Sequence, residues 1–234
     1  MGLYSMNAIP FGDILIHGLV RDSKGRKMSK SLGNTLDPLE LSEKHGADAL
    51  RFSLIEKANP GQDVPFDEEW TQAAKKFGNK IWNAAKFIHI YTEGLEDRKL
   101  TEVELIENRW ILKEFNNCLE EFNKLFNEYK ISDAYKLLYN FLWSDLFDWY
   151  FEFSKNLVDN ENYKDETQKV LLNVFLNSIK ILNPAMPHLT EEIWSTFNDE
   201  LIIDSSWPSN FDIKFSDKGE FDDLKSIINQ IRNF

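Results

Sequence analysis

Apolar side chains recur at every third or fourth position along the chain from Phe66 to about residue 200. This spacing is typical of helices that bury one face. It predicts four long helices, one shorter helix and the start of a last one, at residues 66–94, 102–129, 132–149, 166–182, 188–197 and 220–231. Because long helices with short connections pack as antiparallel bundles, residues 66–200 are expected to form a mainly α-helical bundle.

The first 65 residues show a mixed pattern. Residues 1–12 have no clear period and predict a loop. The apolar β-formers between Ile14 and Val20 predict a buried strand that leads into the next loop. Residues 59–65 contain two prolines and a glycine, which is the clearest linker pattern in the chain.

Two short helices are predicted between that loop and the linker. Asp37 followed by Pro38 is a typical helix start, with Asp as the N-cap and Pro at the first helical position. This helix is expected to end at Gly46. The next one covers residues 47–57, and its inward side chains are predicted to be Leu50, Leu54 and Ile55.

The loop from Asp22 to Asn34 contains the pentapeptide KMSKS, with glycines near both ends. Lys27 and Lys30 are two cations that can close over a polyphosphate and stabilise the charge that builds up on a leaving pyrophosphate. Hydroxyl and backbone N–H groups of the same pentapeptide can line the anion site, namely those of Met28, Ser29 and Ser31. On charge alone, a solvated basic surface loop is the alternative.

His17 precedes this loop and is a second candidate for nucleotide binding. At the carboxyl end of a parallel strand it would face a bound ligand, because open α/β sheets bind ligands there. A hydrogen-bonded core histidine is the alternative that the sequence leaves open.

KMSKS, followed by Leu32-Gly33-Asn34 and Asp37-Pro38, resembles the signature loop of class I aminoacyl-tRNA synthetases. Within this class the chain resembles the valyl-tRNA synthetases, whereas isoleucyl and leucyl relatives share the loop and the GAD element but usually not the NKIWNA run. The stretches that carry the resemblance are GADALRF (46–52), PGQD (60–63), NKIWNAAKF (79–87), DLFDWYFE (145–152) and NPAMPHLTEEIW (183–194).

The resemblance implies the C-terminal remnant of a Rossmann-type catalytic fold over residues 1–36 and a stem-contact element with its linker over 37–65. A helical anticodon-binding bundle follows over 66–200, and an irregular segment with a truncated helix over 201–234. The implied parent protein is a valine–tRNA ligase with ATP and Mg²⁺ as a substrate complex, no tightly bound cofactor, and tRNA as its partner. The sequence lacks a HIGH-type motif, so this chain alone is expected to be inactive.

The resemblance also implies a set of tRNA-binding residues. Arg51 is expected at the inside of the tRNA L, with a surface ion pair to Asp48 as the alternative. The anticodon is expected on the exposed face of the first long helix, where amides read base edges, ammonium groups hold phosphates and aromatic rings stack on unpaired bases. The candidates are Asn79, Asn83, Lys86 and Phe87, with a packed core position as the alternative for Phe87. Glu69 departs from the pattern, because the resemblance implies Arg near there.

Composition limits the other classes of function. The net charge of −12 argues against a generally basic nucleic-acid-binding protein, although residues 1–60 carry slightly more Lys and Arg than Asp and Glu. A single cysteine, Cys118, excludes an internal disulfide, and no secretory-signal or membrane-spanning pattern occurs. A cytoplasmic monomer is therefore expected. The alternative functions are a free-standing tRNA-binding module without catalysis and a fragment of an isoleucyl- or leucyl-tRNA synthetase.

Two further clusters of titratable residues occur in the helical part of the sequence. Asp145, Asp148 and Glu152 are expected on one helix face and could indicate a metal site. No Glu-x-x-His sequence accompanies them, so ion pairs with Arg109, Lys113 or Lys155 are favoured. His188, Glu191 and Glu192 are typical of a helix start and are assigned no catalytic role.

Overall fold

A two-stranded parallel sheet organises the N-terminal part of the protein, as seen in a computed structural model that describes residues 2–95, 97–100, 102–212 and 220–232. Strand β1 (Val20–Arg21) pairs with β2 (Val64–Pro65). The Asp63 carboxylate accepts a hydrogen bond from the Leu19 N–H group at 2.8 Å and pairs with the Arg21 guanidinium. The predicted linker, residues 59–65, is therefore held against β1.

The predicted buried strand before the loop is also wrong. Ile14, Leu15 and Ile16 are 80%, 51% and 72% exposed. The chain makes close backbone contact at Gly18, where an added Cβ would lie 1.7 Å from the Gln62 carbonyl oxygen. A short helix, α1 (Gly2–Met6), lies in the segment predicted as a loop.

Helices α2 (Pro38–His45) and α3 (Ala47–Lys57) confirm the predicted pair. The Asp37 carboxylate accepts a hydrogen bond from the Leu39 N–H group at 2.8 Å, and Gly46 ends α2 at a φ of 97°. The inward face of α3 differs from the prediction. Ala49, Phe52 and Ser53 are buried in the core, whereas the three predicted residues, Leu50, Leu54 and Ile55, are half-buried at its edge.

The remaining helices form the predicted bundle. Those within residues 66–200 are α4 (Glu68–Tyr91), α5 (Ile106–Asn127), α6 (Ile131–Asn140), α7 (Phe151–Val158), α8 (Lys164–Leu182) and α9 (Pro187–Ser195), and the separately predicted last helix is α10 (Glu220–Arg232). Residues Phe141–Tyr150 join α6 to α7 as a π-helical segment, so that one continuous helix runs from 131 to 158. Large buried rings from several helices fill the core between them, including Phe52, Phe77, Trp110, Phe115, Phe122, Tyr135, Tyr150 and Phe175. None of the helices in the described part of the chain is long and apolar enough to span a membrane.

The third predicted helix starts differently from expectation. It begins at Ile131, after Tyr129 adopts a φ of 59°. The Ser132 hydroxyl donates to the Glu56 carbonyl oxygen of α3 and does not cap its own helix. A tertiary contact therefore replaces the predicted N-cap at Ser132 or Asp133.

The π-helical segment separates the three carboxylates that were expected to share a face. Its wider turns, which bond residue i to i+5, change the direction of successive side chains. Asp145 pairs with Lys225 at 3.0 Å, Asp148 with Lys80 at 2.7 Å and Glu152 with Lys155 at 2.6 Å. The structure thus confirms that these carboxylates form ion pairs. Of the partners seen here, Lys155 is one of the predicted residues, whereas Lys225 and Lys80 are not. Within the described residues no cluster of His, Cys, Asp and Glu side chains could hold a metal ion.

Candidate functional site

Asp22 holds the base of the KMSKS loop. Its side chain is buried, and its carboxylate accepts hydrogen bonds from the N–H groups of Arg26 at 2.7 Å and Lys24 at 3.1 Å, and from the Asn34 amide at 2.9 Å. The Arg26 guanidinium forms an ion pair with the same carboxylate at 2.8 Å. The Asn34 hydrogen bond, followed by those from Arg26, lowers the pKa of Asp22 from 3.8 to about 2. Asp22 is therefore a fixed anion around which the loop turns.

Asn34 closes the loop from its other end. Its side-chain oxygen accepts a hydrogen bond from the Ser29 N–H group at 2.9 Å, and its amide nitrogen lies 3.3 Å from the Lys27 carbonyl oxygen. Residues Lys30–Leu32 form a single 3₁₀ turn, which Gly33 ends at a φ of 61°. One amide side chain thus fixes the backbone of the pentapeptide at two of its residues, Lys27 and Ser29.

Met28 anchors the middle of the loop. Its half-buried side chain lies in an apolar cavity between the loop, β1 and helices α2 and α3. The other lining residues are Val20, Leu36, Pro38, Leu41, Leu50, Leu54 and Phe66. Met28 therefore faces inward, whereas Lys27 and Lys30 near it in the chain are exposed.

The two lysines of the pentapeptide, together with Lys24 before it, carry the positive charge that the loop presents to solvent. Lys27 and Lys30 are exposed, and among the described residues neither ammonium group has an acidic partner. By contrast, the Arg21 and Arg26 guanidinium groups are paired with Asp63 and Asp22. The loop therefore uses its guanidinium groups to hold its shape and leaves these ammonium groups available to an anion. The hydroxyl groups of Ser29 and Ser31 lie 3.2 Å apart beside them.

His17 lies away from the cavity next to the loop. Its exposed ring has Nδ1 2.8 Å from the Gly18 carbonyl oxygen, and it lines a separate cavity with Ile55, Tyr129 and Ile131. Because His17 precedes β1, its expected place at the carboxyl end of a strand is wrong. A contact between His17 and a nucleotide stays a prediction.

Helix α4 places three of the four anticodon candidates on one solvent-exposed face, namely Asn79, Asn83 and Lys86. Phe87 differs, because its half-buried ring packs 4.3 Å from the Tyr91 ring centroid and stacks on Phe151 at 5.1 Å. The structure thus places Phe87 among packed aromatic rings. Glu69 is exposed in the first turn of α4, where the helix dipole favours an acid.

Arg51 and Asp48 do not pair with each other. The exposed Arg51 guanidinium donates to the Pro184 carbonyl oxygen at 2.9 Å. The Asp48 carboxylate accepts hydrogen bonds from the Leu189 N–H group at 2.6 Å and lies 2.8 Å from Nδ1 of His188, so it caps the start of α9 from α3. Sequence reasoning missed this contact, because the two helices lie about 140 positions apart and nothing local indicates that they meet.

The chain matches two known protein families. Residues 108–234 match the family described as the anticodon-binding domain of tRNA ligase. Residues 1–67 match the family described as class I tRNA synthetases (I, L, M and V).

Curated relatives with high identity to the chain are valine–tRNA ligases. The Oceanobacillus iheyensis protein is 42% identical over 97% of this chain and 27% of its own length. The Anoxybacillus flavithermus protein is 44% identical over 85% of this chain and 23% of its own length. The chain therefore spans about a quarter of the length of these relatives.

Two solved structures share the fold. The Agrobacterium radiobacter K84 agnB2 LeuRS, in a ternary complex with tRNA and LeuAMS, aligns with a TM-score of 0.67 at 21% identity over 83% of this chain and 23% of that one. Mycobacterium tuberculosis methionyl-tRNA synthetase bound by methionyl-adenylate aligns with a TM-score of 0.61 at 24% identity over 76% of this chain and 36% of that one. The match to the anticodon-binding family over residues 108–234 covers more than half of the chain, and residues 1–67 match class I tRNA synthetases. The chain therefore belongs to the family of anticodon-binding domains of tRNA ligases.

Proposed function

We propose that this chain is the part of a valine–tRNA ligase that supplies the pyrophosphate-binding loop and the anticodon-binding bundle. The parent enzyme activates valine with ATP, releases pyrophosphate and transfers valine to its tRNA. The observation that carries this proposal is the 40–44% identity to valine–tRNA ligases over 85–100% of the chain.

The KMSKS loop acts on the activation of valine by ATP. Lys27 and Lys30 stabilise the negative charge that develops on the leaving pyrophosphate, which favours the transition state over the ground state. Preorganisation of the loop by Asp22 and Asn34 supports this role, because the backbone between the lysines needs no rearrangement. ATP enters with Mg²⁺ as its substrate partner, held mainly by the phosphates.

The bundle acts on the tRNA. The exposed amide and ammonium groups of Asn79, Asn83 and Lys86 contact the anticodon loop, and Arg51 lies toward the inside of the tRNA L. Phe87 takes part in base stacking only if its ring leaves Phe151. Specificity for valine, the monomeric state and the cytoplasmic location stay predictions of the sequence.

The test is a segment swap. The matching segment of the Oceanobacillus iheyensis valine–tRNA ligase is replaced by this chain, and valine-dependent exchange of pyrophosphate into ATP is measured. We expect an active enzyme, in which Lys27→Ala and Lys30→Ala each lower kcat for exchange about a hundredfold or more, the cost of removing a preorganised transition-state donor. Charging of a valine tRNA transcript is expected to fall when its anticodon is substituted.

Lys24→Ala is the matched control, because Lys24 is an exposed cation of the same loop outside the pentapeptide. Equal effects of Lys24→Ala and Lys30→Ala would contradict the assigned role of the pentapeptide. A folded swap that charges isoleucine or leucine in place of valine, or that shows no exchange at all, would overturn the proposed function.

A further inference from the structure

A groove between α4 and α9 lies beside the anticodon candidates but contains only one of them. It has about 370 Å³ of empty space and is lined by Trp82, Ala85, Lys86, His89, Ile193 and Thr196. The two helices approach closely at Gly78, where an added Cβ would lie 3.4 Å from side-chain atoms of Leu189 and Met186. Two turns further along α4, the short side chain of Ala85 leaves the groove open.

The walls of the groove have the chemistry of a base-stacking site. The Trp82 indole is half-buried, and the exposed His89 ring is held by an edge contact with Phe197 at 5.6 Å. The Lys86 ammonium lies 5.7 Å from the centre of the Trp82 ring. Flat rings next to a cation are what proteins use to hold an unpaired base and the phosphate attached to it.

The charge of α4 favours an anionic ligand. Between Trp70 and Tyr91 the helix carries four lysines and no acidic residue, in a chain with a net charge of −12. Lys80 is paired with Asp148, but Lys76 and Lys86 have no acidic partner among the described residues. A local excess of positive charge along one exposed helix complements a nucleic-acid backbone.

We propose that this groove holds one unpaired base of the tRNA anticodon loop, stacked against Trp82, with a neighbouring phosphate at Lys86. The inference rests on the proposed function, because it requires that the bundle binds tRNA. The proposal adds Trp82, His89 and Thr196 to the residues that are expected to contact the anticodon loop. The groove opens toward α9, whereas the Phe87 ring packs on Phe151 of α7, so the two positions are distinct.

The test uses the 234-residue chain and an RNA hairpin with the anticodon stem and loop of valine tRNA. Thr196→Phe places a ring in the groove from the exposed side of α9. We expect it to weaken hairpin binding about five- to hundredfold, the range for the loss of one stacked base. Ser195→Phe is the matched control, because both residues are exposed and each hydroxyl donates to the carbonyl oxygen three positions before it. This control is expected to leave the dissociation constant unchanged.

A second set of hairpins, each lacking one loop base, identifies the nucleotide. One abasic position is expected to weaken binding to the unchanged protein as much as Thr196→Phe does, and to have no further effect on that variant. If the phenylalanine variant has lost its helical circular dichroism, Thr196→Leu, whose side chain fills less of the groove, provides the same comparison. Hairpin binding that is equal for the Thr196 and Ser195 variants would overturn the groove proposal alone. No binding of any RNA by the unchanged chain would overturn the proposed function as well.

Discussion

At the scale of single residues, two side chains determine the shape of the KMSKS loop. Asp22 and Asn34 stand at its two ends and hydrogen-bond to each other at 2.9 Å. Between them they also bind the backbone N–H groups of Lys24, Arg26 and Ser29. The ammonium groups of Lys27 and Lys30, which are proposed to act on pyrophosphate, make none of these contacts, and Lys27 contributes only its carbonyl oxygen, 3.3 Å from the Asn34 amide nitrogen. The side chains that hold the loop are therefore different from those that are proposed to bind the anion.

We expect Asn34→Ala to raise the pKa of Asp22 from about 2 toward 3.8, because the Asn34 hydrogen bond is the largest cause of its lowered pKa. The ionised Asp22 stabilises the folded loop. This stabilisation is complete above the unfolded pKa and is lost as the pH falls from about 4 to about 2. The measurement is an NMR titration of the Asp22 carboxyl carbon. Thr35→Ala is the control, and an unchanged Asp22 titration in Asn34→Ala would contradict the assignment.

At the scale of elements, the π-helical segment decides where the acidic side chains of the long helix point. Lys80 of α4 inserts beside this segment. Its ammonium donates to the Trp143 carbonyl oxygen at 3.3 Å and to the Asp148 carboxylate at 2.7 Å, and it lies 3.7 Å from the centre of the Trp143 ring. Carbonyl groups displaced from regular α-helical bonding need such a partner. One lysine therefore links the proposed anticodon helix to the segment.

Lys80→Met is expected to lower the free energy of unfolding by about 1–2 kcal/mol, because it removes a cation–π contact and charge-assisted hydrogen bonds at a mostly buried side chain. Urea unfolding followed by circular dichroism measures the change. For Lys76→Met, on the exposed face of the same helix, the free energy of unfolding is expected to stay within about 0.5 kcal/mol of that of the unchanged chain. Equal losses for both variants would show that Lys80 does not stabilise the π-helical segment.

At the scale of the whole molecule, charge is distributed unevenly. The net charge is −12, yet α4 between Trp70 and Tyr91 contains no acidic residue. A molecule of this kind repels polyanions over much of its surface and attracts anions where exposed lysines collect, as on α4 and on the KMSKS loop. Asp48 bonds to the first turn of α9 and Arg51 to the turn before it, so the two residues join α3 to this helix.

This distribution predicts how the proposed binding of tRNA would depend on salt. Lys76→Ala and Lys86→Ala are each expected to reduce the slope of log affinity against log salt concentration by about 1, the contribution of one phosphate contact. Lys136→Ala on α6, whose ammonium lies 3.8 Å from Asp133, is expected to leave the slope unchanged. A valine tRNA titration at several salt concentrations measures all three. Equal slopes for the three variants would contradict the assignment of α4 as the phosphate-binding helix.

The sequence by itself determined the features that depend on near neighbours. Helical periods located the long helices, Asp37, Pro38 and Gly46 located a helix start and a stop, and the KMSKS string located the loop. These signals are local, because capping and amphipathic spacing involve residues within a few positions of each other.

Only the tertiary structure decided which elements meet. It fixed residues 59–65 against β1, placed Asp48 at the start of α9, and directed Asp145 and Asp148 to different partners. It also opened the α4–α9 groove, which contains residues more than a hundred positions apart. Such contacts depend on the packing of distant helices and on the winding of the π-helical segment, and no local pattern encodes either of them.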